Sequence, residues 1–337
     1  MGVGRQAARR ETAGRGNGFT ASQRRSSVLV AVGEYRRAMR EFAGQNNLTV
    51  WYAYLAAEDR FAEVRAALDP ATAKRTAQAM SKAKTHDHLQ AFRKLVRVEG
   101  GELRFVSDPP LLVPIEELTE ADGAAPTIAG IKDAIRSYRD SLSPDRQHLL
   151  DQFRLVHVAR KVVGVGSVGT RAWVALMLGR GTDDPLILQI KEAQASVLED
   201  FAGRSVYTNA GRRVVVGQHT MQASSDILLG WQRSRGFDDV PRDFYVRQLH
   251  DWKGAVEVQQ MTLAAMTSYG RLCGWTLARA HARSGDRIEI AGYLGAGPVF
   301  DEAVADFATA YAEQNERDHA ALVAAVRSGR TPVATVP

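Results

Sequence analysis

Residues 152–250 read as β-sequence between two stretches that read as helix, and this order limits the chain to an α+β arrangement. In the first stretch Thr20-Ala-Ser-Gln23 resembles a capping box. Val28, Val32, Tyr35, Met39 and Phe42 follow it at helical spacing. Asp69-Pro70 predicts a helix start with a Lys- and Arg-rich continuation, and Ser143-Pro144 predicts another. Asp108-Pro109-Pro110 reads as extended chain and 122–126 as a loop, and the Gly- and Arg-rich start, about the first 15 residues, is expected to fray. This whole first part reads as helical.

In the middle stretch Phe153–Val163, Arg171–Leu178, Pro185–Ile190, Arg213–Met221 and Phe244–Leu249 are the strand candidates. Gly179–Asp184 and Gly211-Arg212 read as turns. Together they predict a twisted antiparallel sheet of about five strands. Past Gly254 a long helix carries Val258, Met261, Met266, Tyr269, Leu272, Cys273 and Leu277 and ends near Ser284-Gly285. A second begins near Pro298 with Phe300, Val304, Phe307 and Tyr311 on one face. The expected domains are 1–150 (helical), 151–255 (β) and 256–337 (helical, packing with the first).

The chain is 45% hydrophobic and 24% charged, which excludes disordered, collagen-like and coiled-coil classes. No apolar run approaches the roughly 20 residues of a membrane span. With Cys273 alone there is no disulfide framework and no cysteine-cluster metal site, and with no secretory core at the N-terminus a cytoplasmic location is expected. The net charge of +6 would suit an anionic partner, but no basic block is interleaved with aromatics, so nucleic acid is not the favoured partner.

The sharpest chemical signal is Lys161-Val-Val-Gly164-Val-Gly166-Ser167-Val-Gly169-Thr-Arg-Ala-Trp-Val. In a dinucleotide-binding fold these glycines would open a helix. Here β-branched and aromatic residues follow Gly169, so strand, turn and strand are expected, the setting of a glycine-rich hairpin whose backbone N–H groups cover phosphates. A Cβ at those positions would hold a phosphate away. A glycine-rich hairpin without a ligand is the plainer alternative. One hairpin later, Leu186-Ile-Leu-Gln-Ile-Lys191 is an apolar strand ending in lysine, and a lysine so placed wants an anion. Glu199 is its candidate carboxylate partner, while Glu192 should point to the opposite face. An edge lysine in solvent is the alternative.

No HxDxxxxN, HGDxHxxN or DFG-like run appears. Ala278-Arg-Ala-His281-Ala-Arg-Ser-Gly-Asp286 is nearest, which leaves Asp286 as a catalytic candidate and His281 as a helix-end packing residue. His86-Asp-His88 has no third metal ligand in view, and Cys273 reads as inert core.

The run Ala159–Arg171 resembles the hallmark of an uncharacterised bacterial family, domain of unknown function 2252. So do Leu188–Ala193, Gly217–Asp226 with Leu229-Gly-Trp231, Asp243–Leu249, Cys273–Asp286 and Ile290–Gly295. The likeness runs from near Gly14-Arg-Gly-Asn-Gly-Phe19 to about Asp318. The resemblance implies a circularly permuted fold similar to that of aminoglycoside-phosphotransferase-like kinases. Its full members carry an added N-terminal region with a G-D-x-H-x-x-N-F-G run and a D-F-D-x run, which look like catalytic and metal-binding loops. This chain is then expected to start downstream of both. A misplaced or interrupted gene start and a natural short form are the two explanations, and Thr12 and Ala13 already depart from the family pattern.

The expectation is therefore a kinase-like fragment in which Gly164, Gly166, Ser167, Gly169, Lys191 and Glu199 bind ATP or another phosphate-bearing molecule. Magnesium would be held only where the N-terminal region is present, and phosphoryl transfer is not expected of this chain. A face left apolar would favour self-association. A non-enzymatic scaffold for an anionic ligand and an arginine-rich nucleic-acid binder are the alternatives.

Overall fold

The computed structural model describes residues 2–53, 74, 88–118, 128–162, 169–222, 224–235, 240–249 and 258–331. The chain forms two compact units: unit 1 comprises 1–78 and 255–337, and unit 2 comprises 79–254. The Asp69-Pro70 helix start and the 122–126 loop lie outside the described residues.

Unit 1 is helical, with α1 (Gly2–Gly16), α2 (Ala21–Ala43) and α3 (Asn47–Tyr52) before unit 2. Unit 2 contains α4 (His88–Leu95), β1 (Val96–Glu99), β2 (Glu102–Phe105), β3 (Leu112–Pro114), α5 (Ile128–Arg139), α6 (Pro144–Leu150) and β4 (Arg154–Lys161). It continues through β5 (Ala172–Leu178), β6 (Pro185–Ala193), α7 (Glu199–Ala202), α8 (Ala210–Met221), β7 (Gly230–Arg235) and β8 (Pro241–Gln248). Unit 1 then resumes with α9 (Leu263–Ser284), α10 (Arg287–Leu294) and α11 (Val299–Arg327).

In unit 1 the Thr20 hydroxyl accepts from the Gln23 N–H while the Gln23 side chain accepts from the Thr20 N–H, so the capping box starts α2 as read. Thr20→Ala should lower stability by about 1 kcal/mol in urea unfolding. The α2 stripe Val28, Val32, Tyr35, Met39 and Phe42 is buried with Trp275, Ala278 and Ala282 of α9.

The N-terminus does not fray: α1 buries Val3, Ala7, Ala8, Arg10, Glu11 and Gly14. Its contact stripe is made of small and charged residues, so hydrophobicity hides it. Glu11 is held by Arg15 Nε at 3.1 Å and Arg24 Nε at 2.8 Å, which permits its burial. α9 begins at Leu263, capped by Thr262, so Val258 and Met261 precede it. The aromatic face expected of α11 is half-exposed at Phe307 (50%) and Tyr311 (53%), and Ala305, Ala308 and Ala312 are buried instead. Small residues let helices approach closely, and that requirement overrides aromatic bulk here. The short helix α10 was not expected.

Unit 2 is built on a six-stranded antiparallel sheet, ordered β3-β4-β5-β6-β8-β7, beside a β1-β2 hairpin that turns through Gly100 and Gly101 at φ +59° and +84°. The stretch read as wholly helical thus holds three strands. Asp108–Leu111 is a turn rather than extended chain, with the Asp108 carbonyl accepting from Leu111 and Leu112 N–H at 2.8 Å. One sheet face packs Val158, Ala175, Met177, Leu186, Leu188 and Val246 against Tyr138, Leu142 and Leu150. The other packs Ala159, Val174, Leu176 and Ile187 against Ala91, Val96, Phe105 and Leu112. The buried Tyr138 hydroxyl donates to the Leu228 carbonyl at 2.5 Å. Tyr138→Phe strands that acceptor and should cost about 1–3 kcal/mol by denaturant unfolding.

Between 152 and 250 there are five strands, but not the expected five. Arg213–Met221 is helix α8, and Gly211-Arg212 lies in its first turn. The Asn209 side chain accepts from the Arg212 N–H at 2.9 Å, and a Cβ on Gly211 would sit 2.2 Å from the Phe244 carbonyl oxygen. The glycine is there for close approach to β8, not for a turn. The fifth strand is the polar edge β7.

Candidate functional site

The glycine run joins β4 to β5, which pair antiparallel from Arg154↔Leu178 to Arg160↔Trp173. It is therefore flanked by strands on both sides. Gly164, Gly166 and Ser167 lie outside the described residues. Gly169 has φ +81°, a left-handed conformation that glycine adopts without strain. Past it, Arg171 is fastened to β6: its N–H donates to Glu192 Oε2 at 3.0 Å, its guanidinium lies 3.6 Å from the same oxygen, and its carbonyl accepts from the Glu192 N–H at 2.9 Å. Glu192 thus anchors the exit of the hairpin. Sequence reasoning set this residue aside as facing away from Lys191, although an acid beside the strand lysine and a basic residue after the glycines were its available signals.

Lys191 sits on β6 between Ala172 of β5 and Tyr245 of β8. Alternation places it on the face of Ile187 and Gln189, the face that also holds Ala159 and, two residues on, Lys161. Trp231 of β7 continues the row beyond Tyr245. Burial raises the pKa of the Tyr245 phenol. Next along β6, Gln189 Oε1 accepts from Arg247 Nε and Nη2 at 3.3 and 3.2 Å.

Helix α8 lies over this same face. Its Ala210 N–H donates to Asp243 Oδ2 at 2.7 Å, Asp243 pairs with Ala193 two residues beyond Lys191, and the Arg212 guanidinium is 5.7 Å from the ring centroids of Tyr207 and Trp231. α8 carries no acidic residue. Glu199 instead begins the short α7, where its Oε1 accepts from Arg213 Nη1 and from the Ser196 N–H, both at 3.2 Å. Glu199 therefore ties α7 to α8.

The other candidates are in unit 1. Asp286 caps α10, accepting from the Ile288 and Glu289 N–H groups at 2.9 and 3.0 Å, and these bonds hold its carboxyl below the usual range. Capping accounts for both its position and its shift. Asp286→Ala should lower unit 1 stability above about pH 4 while Asp286→Asn keeps it, and neither should change ligand binding by unit 2. His281 is a packing residue as read: the Tyr35 hydroxyl is 2.8 Å from Nδ1, and the two rings meet edge to face. Burial holds the imidazole below its ordinary value and pushes the Tyr35 phenol up to about 12. The unfolded chain therefore takes up the His281 proton first, and stability contributed at neutral pH is lost as pH falls below about 6.5. A melting series from pH 7 to 5 should show this slope, and His281→Phe should flatten it. Cys273 is half-buried beside Tyr269. Among the described residues no three of His, Cys, Asp and Glu gather into a metal-holding group; His86 and Asp87 lie outside them.

A family model described as an uncharacterized protein conserved in bacteria, DUF2252, matches residues 2–325. The chain belongs to the DUF2252 family. Comparison with curated proteins and with solved structures gives no match. In this DUF2252 chain the motifs fall on few elements. The glycine run joins β4 and β5, Leu188–Ala193 lies on β6, Gly217–Asp226 spans the end of α8, and Asp243–Leu249 covers β8. Cys273–Asp286 is the second half of α9 with the α10 cap. Among the described residues no helix is long and apolar enough to cross a membrane.

Proposed function

We propose that unit 2 is a kinase-like lobe that binds ATP or another phosphate-bearing molecule through the glycine hairpin and Lys191. The observation that carries this is the order of parts along the chain and the sheet. A glycine run joins two antiparallel strands, the next strand carries Lys191 cross-strand from the hairpin exit, and helix α8 follows over the same face. Kinases arrange a glycine-rich loop, a strand lysine and a helix in this order. A hairpin supplies backbone N–H groups to phosphate oxygens, and a strand ammonium adds a point charge beside them. Lys161, on the same face at the entrance to the hairpin, adds a second charge.

Glu199, the expected carboxylate partner of Lys191, is held by Arg213 instead, so this reading rests on the hairpin and Lys191 without it. Titration calorimetry with ATP and with inorganic tripolyphosphate tests the proposal. Both should bind in the micromolar to millimolar range, and a chain that binds neither contradicts it. Phosphoryl transfer also needs metal ions and a positioned carboxylate. Purified 1–337 chain is accordingly expected to show no magnesium-dependent ATP turnover above background in a phosphate-release assay. Turnover that is lost with Asp286→Ala would reverse this and make Ala278–Asp286 a catalytic loop.

A further inference from the structure

Two residues from Lys191 along β6, Gln189 stands opposite Arg247 of β8. Side chains alternate along each strand, so Gln189 and Arg247 share the sheet face of Lys191 and Tyr245. Arg247 is the diagonal neighbour of Lys191 across the two strands, a spacing of about 7–8 Å. The Tyr245 phenol beside them responds to both surroundings: burial raises its pKa, and the charge of Arg247 acts in the opposite direction.

Arg247 is half-buried, and its partner is neutral. Its Nε and Nη2 both donate to Gln189 Oε1, at 3.3 and 3.2 Å. Among the described residues Nη1 makes no hydrogen bond and no carboxylate pairs with this guanidinium. Asp243, further along β8, is taken by Arg233 at 2.6 Å and by the Ala210 N–H at 2.7 Å. The N–H groups left over include the Nη1–Nη2 edge, a planar fork that matches two oxygens of a phosphate.

Gln189 is 1% exposed, and its Nε2 is a buried donor without an acceptor. Turning the amide over would set its N–H groups against those of Arg247. The glutamine thus forgoes one hydrogen bond and holds the guanidinium with an oxygen that carries no charge. A glutamate there could hold the same guanidinium, but it would also neutralise it.

Resting on the reading of unit 2 as a phosphate-binding lobe, we propose that Arg247 is a second phosphate-binding residue of that site and that Gln189 is its positioning residue. Lys191 supplies a point charge and Arg247 a fork to the same phosphate group, and the uncharged partner leaves the charge of Arg247 to the ligand. The fork takes two oxygens and the ammonium a third, so the group that fits is a terminal phosphate with three unbridged oxygens.

Titration calorimetry on the full chain with ATP and tripolyphosphate at one ionic strength, beside thermal unfolding without ligand, tests this. Gln189→Glu should weaken both probes by about 10-fold or more while the unfolding midpoint stays at or above the native value, because Arg247 gains a carboxylate and the orphan donor disappears. Arg247→Met should weaken both to a similar extent, and Arg247→Lys less. A dinucleotide such as NAD, whose phosphates are all bridging, should bind more weakly than ATP; equal binding would overturn the terminal-phosphate assignment. Native affinity in Gln189→Glu or in Arg247→Met overturns the role of Arg247, and with Lys191→Met weakened in the same titration it leaves the Lys191 reading standing. The role is equally overturned if both variants are destabilised or fail to fold, since the pair would then be structural; where one of them folds as the native chain does, its affinity decides. A native chain that binds neither probe overturns the phosphate reading of unit 2 and this assignment with it.

Discussion

Lys191→Met is expected to weaken the binding of ATP and tripolyphosphate by about 10- to 100-fold, the loss of a charge-assisted contact of roughly 1.4–3 kcal/mol. Methionine has a similar volume, so β6 should keep its pairing with Ala172 and Tyr245, and the unfolding midpoint should stay close to that of the native chain. Lys191→Arg keeps the charge and should lose less affinity, without restoring the native value, because a planar guanidinium does not reproduce a compact ammonium. The experiment is calorimetry on the three chains in one buffer. Unchanged affinity in the methionine variant would remove Lys191 from the site.

Gly274→Ala should destabilise unit 1 by about 3 kcal/mol, the upper part of the range for overpacking. Helix propensity taken alone predicts the opposite sign, a gain of about 1 kcal/mol for replacing glycine inside α9. The crossing with α2 decides it. A Cβ at Gly274 would stand 2.3 Å from the Ala31 carbonyl oxygen and 3.1 Å from the Tyr35 nitrogen. Both obstacles are backbone, so no side chain can move aside. The α2 and α9 helices would have to separate, opening the core at Tyr35, Met39 and Trp275. Gly292 on α10 provides the control, since a Cβ there meets nothing within 4 Å. Gly292→Ala should therefore stabilise by about 0.5–1 kcal/mol. Urea unfolding of both variants gives the two signs directly, and a stabilised Gly274→Ala would contradict the close crossing.

What the sequence revealed depended on whether an element buries bulky apolar residues at its own period. The β4, β5, β6 and β8 strands do, and so does the α2 stripe, so all were legible. α1 was not, because its contact face is alanine, glycine and a buried ion pair. β7, Gly230–Arg235, was missed because it is a polar edge strand with one neighbour. α8 was misread because Val214, Val215 and Val216 are β-branched, while the Asn209 cap and the close seat of Gly211 against β8, which favour the helix, are not visible in that pattern. The candidate site follows the same rule. An apolar strand that ends in a lysine one hairpin after a glycine run is visible in one dimension. The grip of Glu192 on Arg171, and the arrival of α8 over the Lys191 face, depend on strand register and helix placement, which local spacing does not encode.

Amide hydrogen exchange of the full chain with and without saturating ATP tests the central proposal most directly, because it reports where the ligand sits. Protection is predicted in peptides covering 161–172 and 187–193, the hairpin with its flanks and the Lys191 strand, and it should be lost in Lys191→Met. Binding without protection in those two segments, or no binding at millimolar ATP, would contradict the assignment of unit 2 as a phosphate-binding lobe.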